Sequence, residues 1–172
     1  KHIENADLIW LGGGTQQRLM ERLKDTKIPA LLRVRYIEGC VIAGSSAGAA
    51  VMSKKMISGK SALRAINGNS TDITEGLGFL PHTFIDQHFH KRQRFNRLIS
   101  AVLQYPAYVG IGIDESTAII VKGGNIEVMG KSSVLILDAR NSRNNFSKNN
   151  KPATATDIGL HVLSVGMKYK LN

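Results

Sequence analysis

Twice before residue 50 the chain runs a short apolar stretch into glycine and then into helix-forming residues. Residues 6–11 end at Gly12-Gly13-Gly14, and residues 39–43 end at Gly44. An apolar run this short, stopped by glycine, reads as a buried strand entering a tight turn. Repetition of strand, glycine turn and helix predicts an α/β domain with a largely parallel sheet. Thr15 is placed to cap a helix reaching about residue 24, a second helix covers 34–38, and a third is expected over 46–56.

Farther along, Phe95, Leu98, Ile99, Val102 and Leu103 recur at the spacing of one buried helix face, and Pro106 closes that helix. Strands are expected at 109–113, 116–121, 126–129, 134–138 and 160–165, with Gly123-Gly124-Asn125 as a hairpin turn. The Asn-, Ser- and Lys-rich stretch 140–151 reads as an exposed loop. With 172 residues, 42% of them hydrophobic and 21% charged, the whole is expected to form one globular domain. The first strand starts close to Lys1, so the expected sheet lacks its opening strands.

No apolar run approaches the length of a membrane span, and the opening Lys1-His2-Ile3-Glu4-Asn5 does not have the order of a signal peptide. Cys40 is the single cysteine, which excludes an internal disulfide and a multi-cysteine zinc site and leans toward the cytoplasm. A lost opening segment would leave a secreted form open. The net charge of +10 attracts polyanions without selectivity. Because Lys and Arg are scattered except at 91–97 and 140–151, no specific nucleic-acid partner is expected, nor a membrane. A homodimer remains compatible.

Gly44-Ser45-Ser46-Ala47-Gly48 matches the G-x-S-x-G nucleophile elbow and lies between an expected strand and an expected helix, where that motif belongs. The turn pushes Ser46 toward substrate, and the Ala47 amide becomes a natural oxyanion donor at the helix start. The Gly12-Gly13-Gly14 loop falls on the same sheet edge and can supply a second amide, from Gly13 or Gly14. It lacks the spacing of a dinucleotide loop and the Lys-Ser/Thr ending of a phosphate loop. Asp86-Gln87-His88-Phe89-His90 then crowds polar groups before an amphipathic helix. A base for Ser46 would be a histidine. As an H-x-H pair, His88 and His90 could instead hold a metal if extended, but no third ligand accompanies them.

Two wirings of a triad fit the residues. One runs Ser46, then Asp114 or Asp138, then His161, the chain order of an α/β-hydrolase. The other runs Ser46, His88 and Glu115, using the acids at the end of Gly110-Ile111-Gly112-Ile113-Asp114-Glu115-Ser116.

These motifs, together with Gly76-Leu77-Gly78-Phe79 and Arg92-Gln93-Arg94-Phe95-Asn96-Arg97-Leu98, resemble the S51 family of serine peptidases from about residue 6 to 134. The Asp-Gln-His-Phe block and the arginines after it are similar to the cyanophycin-degrading branch rather than to the aspartyl dipeptidases. The resemblance implies a flavodoxin-like α/β fold related to class I glutamine amidotransferases, and it selects Ser46, His88 and Glu115 as the triad. It places Gln16, Asp86, Gln87, Arg92, Arg94 and Arg97 in a substrate-binding set. It implies cyanophycin, or another aspartyl or isoaspartyl peptide, as substrate, with neither cofactor nor metal. Guanidinium forks suit the carboxylates of such a chain.

Overall fold

A computed structural model describes residues 1–59, 66–67, 71–146 and 151–171. The first strand, β1 (Leu8–Leu11), passes through the glycine loop into α1 (Gln16–Leu23) and α2 (Ile28–Ile37), and the chain returns as β2 (Val41–Gly44). β1 and β2 pair in parallel, Leu8 opposite Val41 and Leu11 opposite Gly44. The two glycine turns that end these strands therefore lie side by side. One face of the pair packs inward through Ile9 and Leu11. The other leaves Leu8, Trp10 and Val41 more than half exposed, so these strands are not buried on both faces as the apolar runs suggested.

The helix expected over 46–56 lasts one turn, α3 (Ala47–Ala50). Beyond it the backbone bonds sideways instead of along a helix axis. Val51 O accepts from Leu77 N at 2.7 Å, Met52 O from Leu80 N at 3.0 Å and Lys54 O from Gly76 N at 2.9 Å. Residues 51–54 thus face the 76–80 segment, and the chain continues as β3 (Lys55–Ile57), antiparallel to β4 (Ile73–Glu75). The approach is too close for a side chain at residue 76, where a Cβ would stand 2.1 Å from Ser53 O. Alanines and methionine favour a helix locally, and tertiary pairing overrides them.

Next come β5 (Thr83–Gln87), α4 (Phe95–Gln104) and β6 (Val109–Ile113), with β5 and β6 parallel. Of the face its spacing predicts, α4 buries Leu98, Val102 and Leu103, with Ala101 beside them, and packs on β6, while Phe95 at its start is exposed and Ile99 half-buried. Each fully buried aliphatic side chain contributes about 1.5–3 kcal/mol. The glycines of β6 allow this contact. A Cβ at Gly110 would meet Val102 at 2.8 Å, and one at Gly112 would meet the Phe89 ring at 2.6 Å.

The remainder is antiparallel: β7 (Thr117–Lys122), β8 (Asn125–Gly130), β9 (Val134–Asp138), β10 (Arg143–Asn145), β11 (Thr154–Thr156), β12 (Gly159–Leu163) and β13 (Lys168–Lys170). One sheet has the order β12-β9-β6-β5 and is mixed; another is β13-β8-β7. The expectation of a largely parallel sheet is corrected, since only β1/β2 and β5/β6 are parallel among the paired strands described. A hairpin, β7-β8, follows β6 where a crossover helix would be needed to keep the next strand parallel. The expected loop 140–151 is corrected too: β10 within it pairs with β11, while 147–150 lie outside the described residues. Among the described residues no helix is long and apolar enough to cross a membrane.

Candidate active site

Ser46 occupies the turn between β2 and α3 at φ +52, a left-handed conformation that costs a non-glycine residue about 1–3 kcal/mol. The turn is locked on both sides. A Cβ at Gly44 would stand 2.3 Å from Gly48 O, and one at Gly48 would stand 1.9 Å from Leu11 O. Only glycine fits either position. Gly48 N donates to Gly12 O at 3.1 Å, binding the elbow to the first glycine loop. A Cβ built on Gly13 would reach within 3.6 Å of Ser46 Cβ, which places that loop against the serine. Gly14, at φ +136, turns the loop toward α1. Ala47 is the first residue of α3 and is buried.

His88 follows β5 at φ +54, with its imidazole between two partners. Nε2 is 3.0 Å from Ser46 Oγ, and Nδ1 is 2.6 Å from Glu115 Oε1. Glu115 comes just after β6, so three neighbouring strand ends supply the three side chains. The His88 hydrogen bond, helped by Lys91 Nζ at 3.8 Å, holds the Glu115 carboxyl below the usual carboxylate range. Asp114 also lines the cavity, but its carboxylate accepts from Ser132 Oγ at 3.2 Å. Its burial pushes the carboxyl up, but donors from the Glu115 backbone and Ser132 outweigh this and leave it lowered.

The other histidine wiring does not form. His161 stands opposite Ile136 in the β12–β9 pairing, with its ring 5.1 Å from that of Tyr169. Asp138 is bound by Arg140 through Nε at 2.9 Å and Nη2 at 2.6 Å. The H-x-H pair is also not extended, because the left-handed turn at His88 intervenes. Exposed His90 sets its ring on edge to Phe89 instead. No group of three metal-ligating side chains occurs among the described residues.

The residues expected to bind substrate divide into two sets. Gln87 lines the cavity at Ser46, and Arg92 is exposed in the turn after His88, its N donating to His88 O at 3.0 Å. Gln16, by contrast, is buried and donates from Nε2 to Ile57 O at 2.9 Å, so it is not turned toward the serine. Gln17 reaches Glu21 on the surface of α1. Arg94 and Arg97 also point inward, where Arg97 Nε donates to Asp86 Oδ2 at 2.6 Å and Arg94 Nη1 to Asp86 Oδ1 at 3.2 Å. The expectation that both present open forks to substrate is corrected, since Arg94 Nη1 and Arg97 Nε and Nη2 are engaged by Asp86 and Gln87 and the residues are 8% and 2% exposed. Helical spacing placed Arg94 and Arg97 on one face, but it could not say that the face is the buried one. Lys91, to which the motifs assign no role, brings Nζ to 3.8 Å from Glu115 Oε1; its signal was its place in the same polar run.

The cavity measures about 490 Å³. Ser46, Gln87, His88, Asp114 and Glu115 are among its polar lining, and Trp10, Tyr36, Phe79, Ile119 and Val121 among its apolar lining. A hydroxyl, an imidazole and a carboxylate in hydrogen-bonded sequence can move a proton away from the hydroxyl and hold the resulting imidazolium.

The sequence model of peptidase family S51 matches residues 1–129. The chain belongs to that family. It is 40% identical to the cyanophycinase of Trichormus variabilis over 98% of this chain and 58% of that protein. It is also 40% identical to the cyanophycinase of Synechococcus elongatus, over 95% of this chain and 52% of that protein. Its structure superposes on a crystal structure of a peptidase from an acI-B1 Actinobacterium with a TM-score of 0.66 at 25% identity, covering 98% of this chain and 61% of that one. The chain thus spans somewhat over half the length of these relatives.

Proposed function

We propose that the protein acts as a serine exopeptidase that hydrolyses cyanophycin, a polyaspartate carrying β-linked arginines, to β-aspartyl-arginine dipeptides. The hydrogen-bonded run Ser46–His88–Glu115 carries the reading, and the 40% identity to cyanophycinases supports the choice of substrate. The two parallel strand pairs, with the elbow leaving one of them, fit a flavodoxin-like sheet.

In this reading His88 Nε2 takes the Ser46 Oγ proton as Oγ bonds to the carbonyl carbon of a backbone amide. The developing oxyanion is held by the Ala47 amide and by Gly13 or Gly14. Collapse breaks the C–N bond, and His88 returns its proton to the leaving amine. The same imidazole then deprotonates water, which attacks the acyl ester and restores Ser46. Glu115 keeps Nδ1 protonated and stabilises the imidazolium throughout. Gln87 and Arg92 supply the polar contacts, with the Arg92 guanidinium meeting a substrate carboxylate.

Release of dipeptide from cyanophycin, measured beside cleavage of unmodified α-linked polyaspartate and of isoaspartyl peptides, tests the reading. Cyanophycin should be turned over and α-linked polyaspartate left intact. Equal rates on all three would leave a serine peptidase and remove the cyanophycin assignment.

A further inference from the structure

The conformation of His88 is fixed from the side away from Ser46. The peptide group entering His88 carries Gln87 O, and that carbonyl accepts from Arg94 Nη1 at 2.5 Å. The same nitrogen lies 2.8 Å from Gln87 Oε1 and 3.2 Å from Asp86 Oδ1. Arg97 completes the cluster, with Nε on Asp86 Oδ2 at 2.6 Å and Nη2 on Asp86 Oδ1. On the leaving side Arg92 N donates to His88 O at 3.0 Å and Arg94 N to Phe89 O at 3.0 Å. One guanidinium therefore clamps the peptide before His88, while its own backbone closes the turn after it.

A substrate clamp has to be open to substrate, and this cluster is closed. The Asp86, Arg94 and Arg97 side chains are 1%, 9% and 3% exposed. Two guanidiniums share one carboxylate, so a surplus positive charge is buried. Burial, and next the neighbouring Arg97, pull the Arg94 pKa down to about 10. Such an arrangement is a weak source of stability, because desolvating ions offsets much of their attraction. What it supplies is geometry: α4 is tied to the last two residues of β5, immediately before the imidazole.

We propose that Asp86, Arg94 and Arg97 are positioning residues, a buried brace that holds the 87–88 peptide so that the His88 ring spans Ser46 and Glu115, and that they do not touch substrate. The proposal rests on the serine-peptidase reading, with Arg92 left as the exposed arginine of the set. Displacing a reacting group by about 1 Å can cost roughly 100-fold in rate, so the brace should act on kcat.

The test uses an alkyl fluorophosphonate, a small electrophile that reacts with an activated serine and has no carboxylates to be clamped. Labelling is followed in the full chain carrying R94K, R97K or D86N, next to kcat and KM on cyanophycin. Labelling and kcat should fall together by about 10- to 100-fold, with KM within about 3-fold of the unchanged protein. Labelling at the unchanged rate with KM raised 10-fold or more would overturn the brace and return these arginines to substrate contact. Thermal midpoints keep folding separate: both lysine variants retain a cation opposite Asp86, and D86N retains its size. Each variant that is folded at the assay temperature is decisive. S46A is the separate control, since labelling that persists there would sink the serine reading and leave the brace aside.

Discussion

The strand ends around Ser46 and the antiparallel half beyond β7 use the same parts to different ends. Both contain left-handed turns, an Asp–Arg cluster and a histidine ring against a neighbour. In the antiparallel half the turn between β7 and β8 is made by Gly123 and Gly124 at φ +55 and +76, and a Cβ on Gly123 would meet nothing within 4 Å. At the strand ends Ser46, His88, Gln93 and Ser116 take positive φ while bearing side chains, with Gly14 the glycine among them, and in the antiparallel half Asp157 at φ +61 is the non-glycine exception. The glycines beside them serve another need, because Gly44, Gly48 and Gly112 are pressed against backbone or ring atoms. The nucleophile and its base are both held at positive φ, whereas Gly123 and Gly124 at positive φ make only a turn.

If that contrast is right, changes at the strand ends should affect turnover more than folding. The largest effect is expected at Ser46. S46A should lower kcat at least about 10⁴-fold and leave the thermal midpoint within a few degrees, because replacing a serine in a left-handed turn changes little packing. Residual turnover within 10-fold of the unchanged protein would erase the difference between the two regions.

Glu115 gives the next effect and separates two adjacent acids. E115Q removes the acceptor from His88 Nδ1 and should cost about 10²- to 10⁴-fold in kcat, while D114N should cost less than about 10-fold. With Ser46 and His88 intact, the reverse ranking would move the acid to Asp114. The pH profile should agree in sign. Glu115 is depressed below the ordinary carboxylate range, so it stays ionised on the acid side of that range, and E115Q should remove this limit. Smaller still is Arg92, exposed in the turn after His88: R92K should raise KM for cyanophycin about 3- to 10-fold, read from initial rates, with kcat little changed.

Much of the strand-end region was legible in the sequence, and the reason is local. A nucleophile elbow needs glycine at 44 and 48 whatever surrounds it, and the apolar period of α4 follows from helix geometry alone. Selecting the triad needed the resemblance, since the residues left two wirings open, the one through His161 weakened only by its place in an alternating apolar strand. What could not be read depends on contacts distant in sequence. The segment after Ala50 looks helical until the carbonyls of Val51, Met52 and Lys54 find residues 76–80. Gln16 looks available until Ile57 O takes its amide. The inward turn of Arg94 and Arg97 depends on Asp86, eight and eleven residues away, on a different element.

The antiparallel half provides the smallest prediction and the sharpest contrast with the buried brace. Asp138 accepts Arg140 Nε and Nη2 as well as Arg140 N at 3.0 Å, and Tyr169 OH at 3.2 Å ties β13 to the end of β9. These donors, Arg140 first, lower its pKa from 3.8 to about 2 despite partial burial. A carboxyl depressed in the folded state stabilises above its unfolded pKa. The contribution is therefore complete above about pH 4 and is lost as pH falls through about 2. Its size is about 2 kcal/mol, an amount that would lower the melting temperature of a chain this long by several degrees. D138N should show that loss at pH 7, and the gap to the unchanged protein should narrow as pH drops below 4. kcat on cyanophycin, measured below both melting points, should stay within about 2-fold, because Asp138 touches neither Ser46, His88 nor Glu115. A drop in kcat comparable to that of E115Q would show that the antiparallel half is coupled to the strand ends and would end the distinction between them.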